Sequence, residues 1–261
     1  MKNKFKLLAI AVMLLLSIIV SAQETSFDKL IDEGKILSKT AYLHYSKDQL
    51  LEARTIFENS STADQSNLLP LYYITLIDYK LLEMSMGNGG ENLFDKYYET
   101  ALHNAGKLQN DKNLSADGKI LSAAIYMMKI ATNPMSAVTL SPQIHSLLDE
   151  AQSIAPDKPY GYVIRGMMKF NTPKMFGGSD EDALKNFNYA VKLFEKDENE
   201  NNLNPVWGYA ETLVWIGRTQ EKLNNYDAAI FSYKKALSVE PEYGWVKYSL
   251  LPELEKKIAN K

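Results

Sequence analysis

The chain has 261 residues, 46% of them hydrophobic, with 32 acidic side chains against 29 basic ones and no cysteine. That is long and apolar enough to bury a sizeable core, and it is not the composition of a disordered chain or a collagen. The absence of Cys removes disulfides, thiolate zinc sites and thiol nucleophiles, and the scattered, near-neutral charge leaves no basic footprint for nucleic acid.

The first segment reads as an address. Lys2, Lys4 and Lys6 precede an apolar run of about 14 residues, Leu7 to Val20, which ends in Val20-Ser21-Ala22. A basic start, a short apolar stretch and small residues before a polar one have the form of a secretory signal peptide, with cleavage expected after Ala22. The run falls short of the ~20 residues a bilayer-spanning helix needs, and no Cys follows it to carry a lipid. The expectation is an exported protein, periplasmic or secreted, with no stable membrane insertion once residues 1–22 are gone. Loss of three lysines leaves 26 basic against 32 acidic residues, a mature charge near −6.

Across 23–261 apolar residues recur at helical spacing and alternating runs are essentially absent, so the pattern predicts one all-α domain. Breaks fall at Asn59-Ser60-Ser61-Thr62, Gly87-Asn88-Gly89-Gly90, Asn110-Asp111 and Thr132 to Ser141. Others fall at Pro156 to Pro159, Thr172 to Ser179, Asn199 to Pro205 and Asn224-Asn225. About ten helices are predicted between them, the last near Tyr243 to Asn260, where Pro252 is expected to kink or divide it. Ser141-Pro142 and Asn204-Pro205 read as an N-cap followed by Pro at the first helical position, and Ser179 stands before an acidic first turn.

Ala210 to Tyr243 spans 34 residues and carries Leu213, Ile216-Gly217, Ala229, Tyr233, Ala236 and Pro241 in order. Small residues at 217 and 229 let two helices approach closely, Tyr233 is expected to fill the space beside the next pair, and Pro241 stops the second helix. With that spacing the stretch resembles the tetratricopeptide repeat (TPR) family. Looser copies lie upstream: Tyr162, Gly166, Ala183, Phe187 and Ala190; Leu148, Ala151 and Pro156; Phe94, Tyr98 and Ala101; Ala53 and Phe57. The resemblance implies a right-handed α-solenoid of about five antiparallel helix pairs with a C-terminal capping helix, the first helix of each pair on a concave inner wall.

TPR spacing places Glu211, Val214, Arg218, Glu221 and Lys222 of the last repeat on that wall. In the preceding repeat it places Tyr160, Val163, Met167, Phe170 and Asn171 there. Charges beside aromatic and Met positions suit a protein or peptide partner of the cell envelope, or a small amphiphilic ligand. Pro173-Lys174-Met175-Phe176-Gly177-Gly178 resembles the Pro-x-x-(Leu/Phe)-Gly-Gly loop of exported TPR-like proteins, among them the T-components associated with TRAP transporters. Those carry a lipidated Cys that this chain lacks. Phe176, Gly177 and Gly178 have two readings, a glycine closure after Pro173 or a lip over the groove.

Catalytic parts are scarce. His44, His103 and His145 share no short spacing, and neither His-Glu-x-x-His nor Gly-x-Ser-x-Gly occurs. The Gly-rich stretch at 87–90 follows a helix and lacks the Lys of a phosphate-cradling loop. Carboxylate pairs such as Glu198/Glu200 and Asp180/Asp182 sit in predicted exposed turns. No catalytic, metal or cofactor residue is therefore assigned. The expected function is a non-catalytic exported scaffold that holds a protein or peptide in its concave groove. The alternative implied by the TRAP resemblance is a periplasmic ligand-handling accessory of a transport system, and an enzyme ranks third.

Overall fold

The structure is a computed structural model that describes residues 27–87, 92–196 and 207–260. The signal-peptide segment, Gly89-Gly90, the Glu198/Glu200 pair and the Asn204-Pro205 cap lie outside them. Among the described residues eleven helices follow one another and no strand forms. They are α1 (27–43), α2 (Lys47–Ala63), α3 (Leu69–Met84), α4 (Leu93–Leu108), α5 (Ser115–Thr132) and α6 (Ala137–Ile154), then α7 (Pro159–Asn171), α8 (Asp180–Lys196), α9 (Tyr209–Lys222), α10 (Tyr226–Val239) and α11 (Leu251–Ala259). The architecture is a TPR-like α-solenoid: α3/α4, α5/α6, α7/α8 and α9/α10 are packed pairs, α1 meets α2 through Gly34 and Phe57, and α11 closes the end.

One packing step recurs at the crossing of a pair. A Cβ built on Gly34 would lie 2.6 Å from Cζ of Phe57, one on Gly166 2.6 Å from Cδ1 of Phe187, and one on Gly217 2.6 Å from Cδ1 of Tyr233. In each case a fully buried aromatic ring of the second helix lies against a glycine of the first. Tyr233 thus packs within its own pair rather than beside the next one. The contact explains why position 217 has no side chain, although glycine inside a helix costs about 1 kcal/mol against Ala. Ala53, Ala183, Ala229 and Ala236 are fully buried where the backbones come close.

Local chemistry sets several boundaries. The Ser179 hydroxyl accepts from the Asp182 N–H (3.0 Å) at the start of α8, where Asp180, Glu181 and Asp182 meet the positive end of the helix dipole. Pro70 and Pro159 stand in the first turns of α3 and α7. Three sequence-based boundaries need correction. Asn59 to Thr62 does not end a helix, because α2 runs on to Ala63. The break before α6 is only residues 133–136, and Pro142 lies inside that helix. Pro142 cannot donate to the Val138 carbonyl, but Val138 is exposed, so water can take the donor's place. Pro252 does not divide the last helix either. The chain widens into a π-type turn at Val246–Leu250, with the Leu251 N–H reaching the Val246 carbonyl, and continues as α11.

The solenoid closes on itself. Thirteen of the sixteen residues of α3 are buried, so this helix is enclosed all round. Across the hollow from it lies the last repeat: Lys80 Nζ donates to Glu211 (2.9 Å) and Trp207 Nε1 donates to the Tyr72 hydroxyl (2.6 Å). The two ends also meet, through a Tyr42–Tyr243 hydroxyl hydrogen bond (3.0 Å) and a Lys39–Glu240 ion pair (2.6 Å). The inner face is therefore largely core, not open wall.

Candidate functional site

The predicted wall residues divide into two groups. Glu211, Val214, Tyr160, Val163 and Met167 are buried, with Glu211 only 5% exposed. Lys80 sits 2.9 Å from both Glu211 and Glu83, and its ammonium lies 4.4 Å from the Tyr42 ring centroid and 5.0 Å from that of Trp207. Burial raises the pKa of Glu83, against the pull of Lys80, and Tyr79 donates to the same carboxylate (2.7 Å). On Lys80 burial pulls the pKa down, yet Glu211 and Glu83 more than offset it and the net shift is upward. Glu211 is thus the mate of a buried cation that ties α3 to α9. Tyr160 stacks on Trp207, with ring planes 4° apart and centroids at 4.7 Å.

The second group comes together in an open pocket of about 240 Å³ between α7, α9 and the last helix, lined by Phe170, Arg218, Glu221, Lys222, Leu250 and Lys257. Three of its charges are spoken for. Lys222 pairs with Asp180 (2.7 Å) and donates to the Phe170 carbonyl (3.0 Å), a group at the C-terminus of α7 with no intrahelical partner. Lys257 pairs with Glu221 (3.0 Å), whose other oxygen accepts weakly from Tyr233 (3.4 Å). Arg218 differs. Its guanidinium carbon lies 4.4 Å from the Trp215 ring centroid, 5.1 Å from Phe170 and 5.2 Å from Trp245. No carboxylate lies within ion-pair distance of it among the described residues. Burial holds Arg218 below the ordinary arginine range. A half-buried fork of N–H donors among aromatic rings is suited to a planar anion such as a carboxylate.

Asn171 donates to the Met167 carbonyl (2.8 Å), so it caps its own helix. Phe176 is 72% exposed on a short turn, and Gly177 there has φ +90°, as the closure reading requires. A Cβ on Gly178 would collide with the Thr172 carbonyl, which requires glycine there as well. Leu250 and Lys257 line the pocket and Trp245 borders Arg218; none of the three was assigned from the sequence. Their signal was the last helix itself, which packs on α10 and reaches α9 through the Lys257–Glu221 ion pair.

A larger hollow of about 760 Å³ lies at the opposite end, among the turns that precede α3, α5 and α7. Three of its four carboxylates serve those turns: Asp64 accepts from Ser66, Asp111 from the N–H groups of Asn113 and Leu114, and Asp117 pairs with Lys158. With those acceptors engaged, the hollow reads as a solvated mouth despite its size. Among the described residues no group of three His, Asp or Glu side chains could hold a metal, and no helix is long and apolar enough to cross a membrane.

Comparison with known proteins agrees with this geometry. Residues 210–243 match the tetratricopeptide repeat profile. The uncharacterized protein ycf37 of Guillardia theta is 38% identical over 63 residues, which is 24% of this chain and 32% of that protein, so the match spans about a third of the relative's length. Among solved structures, TTC0263, a thermophilic TPR protein of Thermus thermophilus, superposes with a TM-score of 0.59 at 16% identity, covering 90% of this chain and 97% of its own. The HusA haemophore of Porphyromonas gingivalis superposes at 0.60 with 15% identity, covering 75% of this chain and 94% of its own. At these identities the likeness is one of fold.

Proposed function

We propose, from the tetratricopeptide repeat match at residues 210–243 and the TPR-like fold, that the chain is an exported, non-catalytic repeat scaffold that grips a partner polypeptide at the pocket between α7, α9 and the last helix. One observation carries the reading. Of the positions that repeat spacing puts on the inner wall, Phe170, Arg218, Glu221 and Lys222 line an open pocket, while the other wall positions are core or cap a helix. Within it Arg218 is a desolvated cation with no carboxylate at ion-pair distance among the described residues, Glu221 acting on it only from farther away, so the partner's contribution is an acidic group beside an apolar one, received by Arg218 and by Phe170 and Leu250 respectively. Burying one such charge-assisted contact contributes roughly 1.5–3 kcal/mol.

The test is site-specific photocrosslinking in envelope extract, with benzoylphenylalanine placed at Leu250, or at Phe231 or Ile154 as remote exposed controls. A partner band at 250 that is absent at 231 and 154, and lost with Arg218→Glu, is expected. Equal bands at all three positions, or a band that survives Arg218→Glu, would refute the site. Export is checked separately, by N-terminal sequencing of the protein recovered from the envelope: Gln23 is the expected first residue.

A second reading, carriage of a small amphiphilic ligand, draws on the fold shared with a protein described as a haemophore. Against it, about 240 Å³ is less than the ~300–1,000 Å³ typical of sites that enclose a drug-sized molecule. The pocket holds a side chain or a chain end more readily than a macrocycle.

A further inference from the structure

The hairpin end of α5/α6 stands apart from the rest of the molecule. Residues 128–143 contain no buried residue, whereas α5 up to Met127 and α6 from Ile144 are anchored in the core. The segment 130–148 holds nineteen consecutive residues without Asp, Glu, Lys or Arg, in a chain where such residues make up 23%. At the tip Met135 is 79% and Val138 77% exposed. The next turn on the same edge, between α7 and α8, carries Met175 and Phe176 at 82% and 72%. These are four of the most exposed large apolar side chains among the described residues, and they occupy two neighbouring turns.

Two further features point to what this edge meets. Three of the tip's four hydroxyls are satisfied from within: Thr132 donates to the Lys129 carbonyl (3.0 Å), Ser136 to Asn133 (2.6 Å) and Thr139 to Ser136 (3.1 Å). A polar group that keeps its hydrogen bond can leave water at little cost, which is the condition for entering an apolar medium. Lysines stand at the base of both turns. Lys129 lies over the Phe94 and Tyr98 rings, Lys169 reaches the Gly177 carbonyl (3.0 Å), and the Lys174 side chain, 75% exposed, stands 4.0 Å from Asp180 in a loose ion pair. Long cationic stems below an apolar tip are placed to reach anionic headgroups.

We propose that this edge docks reversibly on the surface of a lipid bilayer, Met135, Val138, Met175 and Phe176 entering the interfacial zone and Lys129, Lys169 and Lys174 facing its headgroups. A tip of exposed apolar side chains fits a fluid interface, whereas a protein partner would need a matching socket. The Val138 carbonyl, which receives no N–H from Pro142, limits the depth to the hydrated interface. This is peripheral contact, distinct from spanning.

The test is co-sedimentation of the chain beginning at Gln23 with vesicles of phosphatidylcholine, with and without phosphatidylglycerol, every variant sharing that N-terminus. Sedimentation with the anionic vesicles is expected. Met135→Ser/Val138→Ser and Met175→Ser/Phe176→Ser are each expected to weaken partitioning about tenfold, the factor that corresponds to roughly one apolar side chain's transfer. Phe231→Ser, on the outer face of α10 at 69% exposure, should leave it unchanged. All these sites are exposed, and far-UV circular dichroism confirms that each variant is folded. The proposal fails if the wild type stays in the supernatant, if the turn variants sediment as it does, or if Phe231→Ser is as damaging as they are. A protein crosslinked at residue 138 without vesicle binding would replace the bilayer with a partner's socket.

Discussion

Replacing Lys80 by Met removes the one cation that faces both Glu83 and Glu211, each 2.9 Å away, while keeping a stem of similar length. At that distance and an effective dielectric of about 20, each attraction is worth roughly 6 kcal/mol before desolvation. Because two carboxylates would stay behind without a cation, Glu83 keeping only its Tyr79 hydrogen bond, the net penalty is the cost of a broken buried pair, about 3–5 kcal/mol. For a chain of this size that lowers the melting temperature by about 10 °C or more. The penalty carries a pH signature. In the wild type burial raises Glu83 and Lys80 opposes the rise; without Lys80 the folded carboxyl goes higher still. A carboxyl whose folded pKa lies above its unfolded one favours the folded state more as pH falls toward the unfolded value. The Lys80→Met penalty should therefore shrink between about pH 8 and pH 5. Urea unfolding followed by tryptophan fluorescence at the two pH values measures it. A variant within about 1 kcal/mol of wild type at the higher pH, or a penalty that does not shrink at the lower, would refute the clasp.

Two other consequences concern the core. Gly217→Ala gains about 1 kcal/mol of helix propensity but drives a methyl group into the enclosed Tyr233 ring, and overpacking of that kind costs about 1–3 kcal/mol or more. A net loss is expected in the wild type and a neutral or stabilising effect in a Tyr233→Leu background; a thermal double-mutant cycle reads both, and stabilisation in the wild type would contradict the packing. On the alkaline side, burial holds Tyr42, Tyr72, Tyr79 and Tyr243 well above the ordinary phenol range. The stability they contribute is present below the unfolded pKa of about 10 and is lost as pH rises beyond it, because only the unfolded chain ionises. Tyrosinate absorbance should then appear together with unfolding; smooth titration of all tyrosines in a folded chain would be the opposite result.

The repeat was readable because its signal is local. Leu213, Gly217, Ala229 and Tyr233 form a contact between two adjacent helices, and that spacing survives in one stretch of chain. Gly34 makes the same contact with Phe57, but the longer interval between them hides the match from a fixed-period reading. Pro142 misplaced the start of α6, because a proline in a hydrated part of a helix costs less than the rule for helix interiors suggests. Glu211, Val214 and Met167 were assigned to the inner face, yet that face is buried. Burial there depends on the accumulated turn of the whole superhelix, which brings Lys80 to Glu211 across 131 positions, and no repeat-to-repeat pattern encodes that sum. Arg218 and Phe170 stay accessible because they lie near the helix ends, where the wall opens toward the last helix.

A repeat array is ordinarily a one-dimensional object: each unit touches its neighbours, contacts are short in sequence, and units can be added or removed at an end. The hydroxyl bridge between Tyr42 and Tyr243 spans 201 positions and makes this chain an exception. Closing such a loop must precede any gain from it, which raises contact order and slows folding relative to an open array of equal length. During synthesis from the N-terminus, Lys80 has no Glu211 and Tyr72 no Trp207 until the last repeat emerges, so α3 waits with its charged and aromatic faces unmatched. Repeat number in this molecule is fixed by circumference: one pair more or fewer would separate the residues that meet.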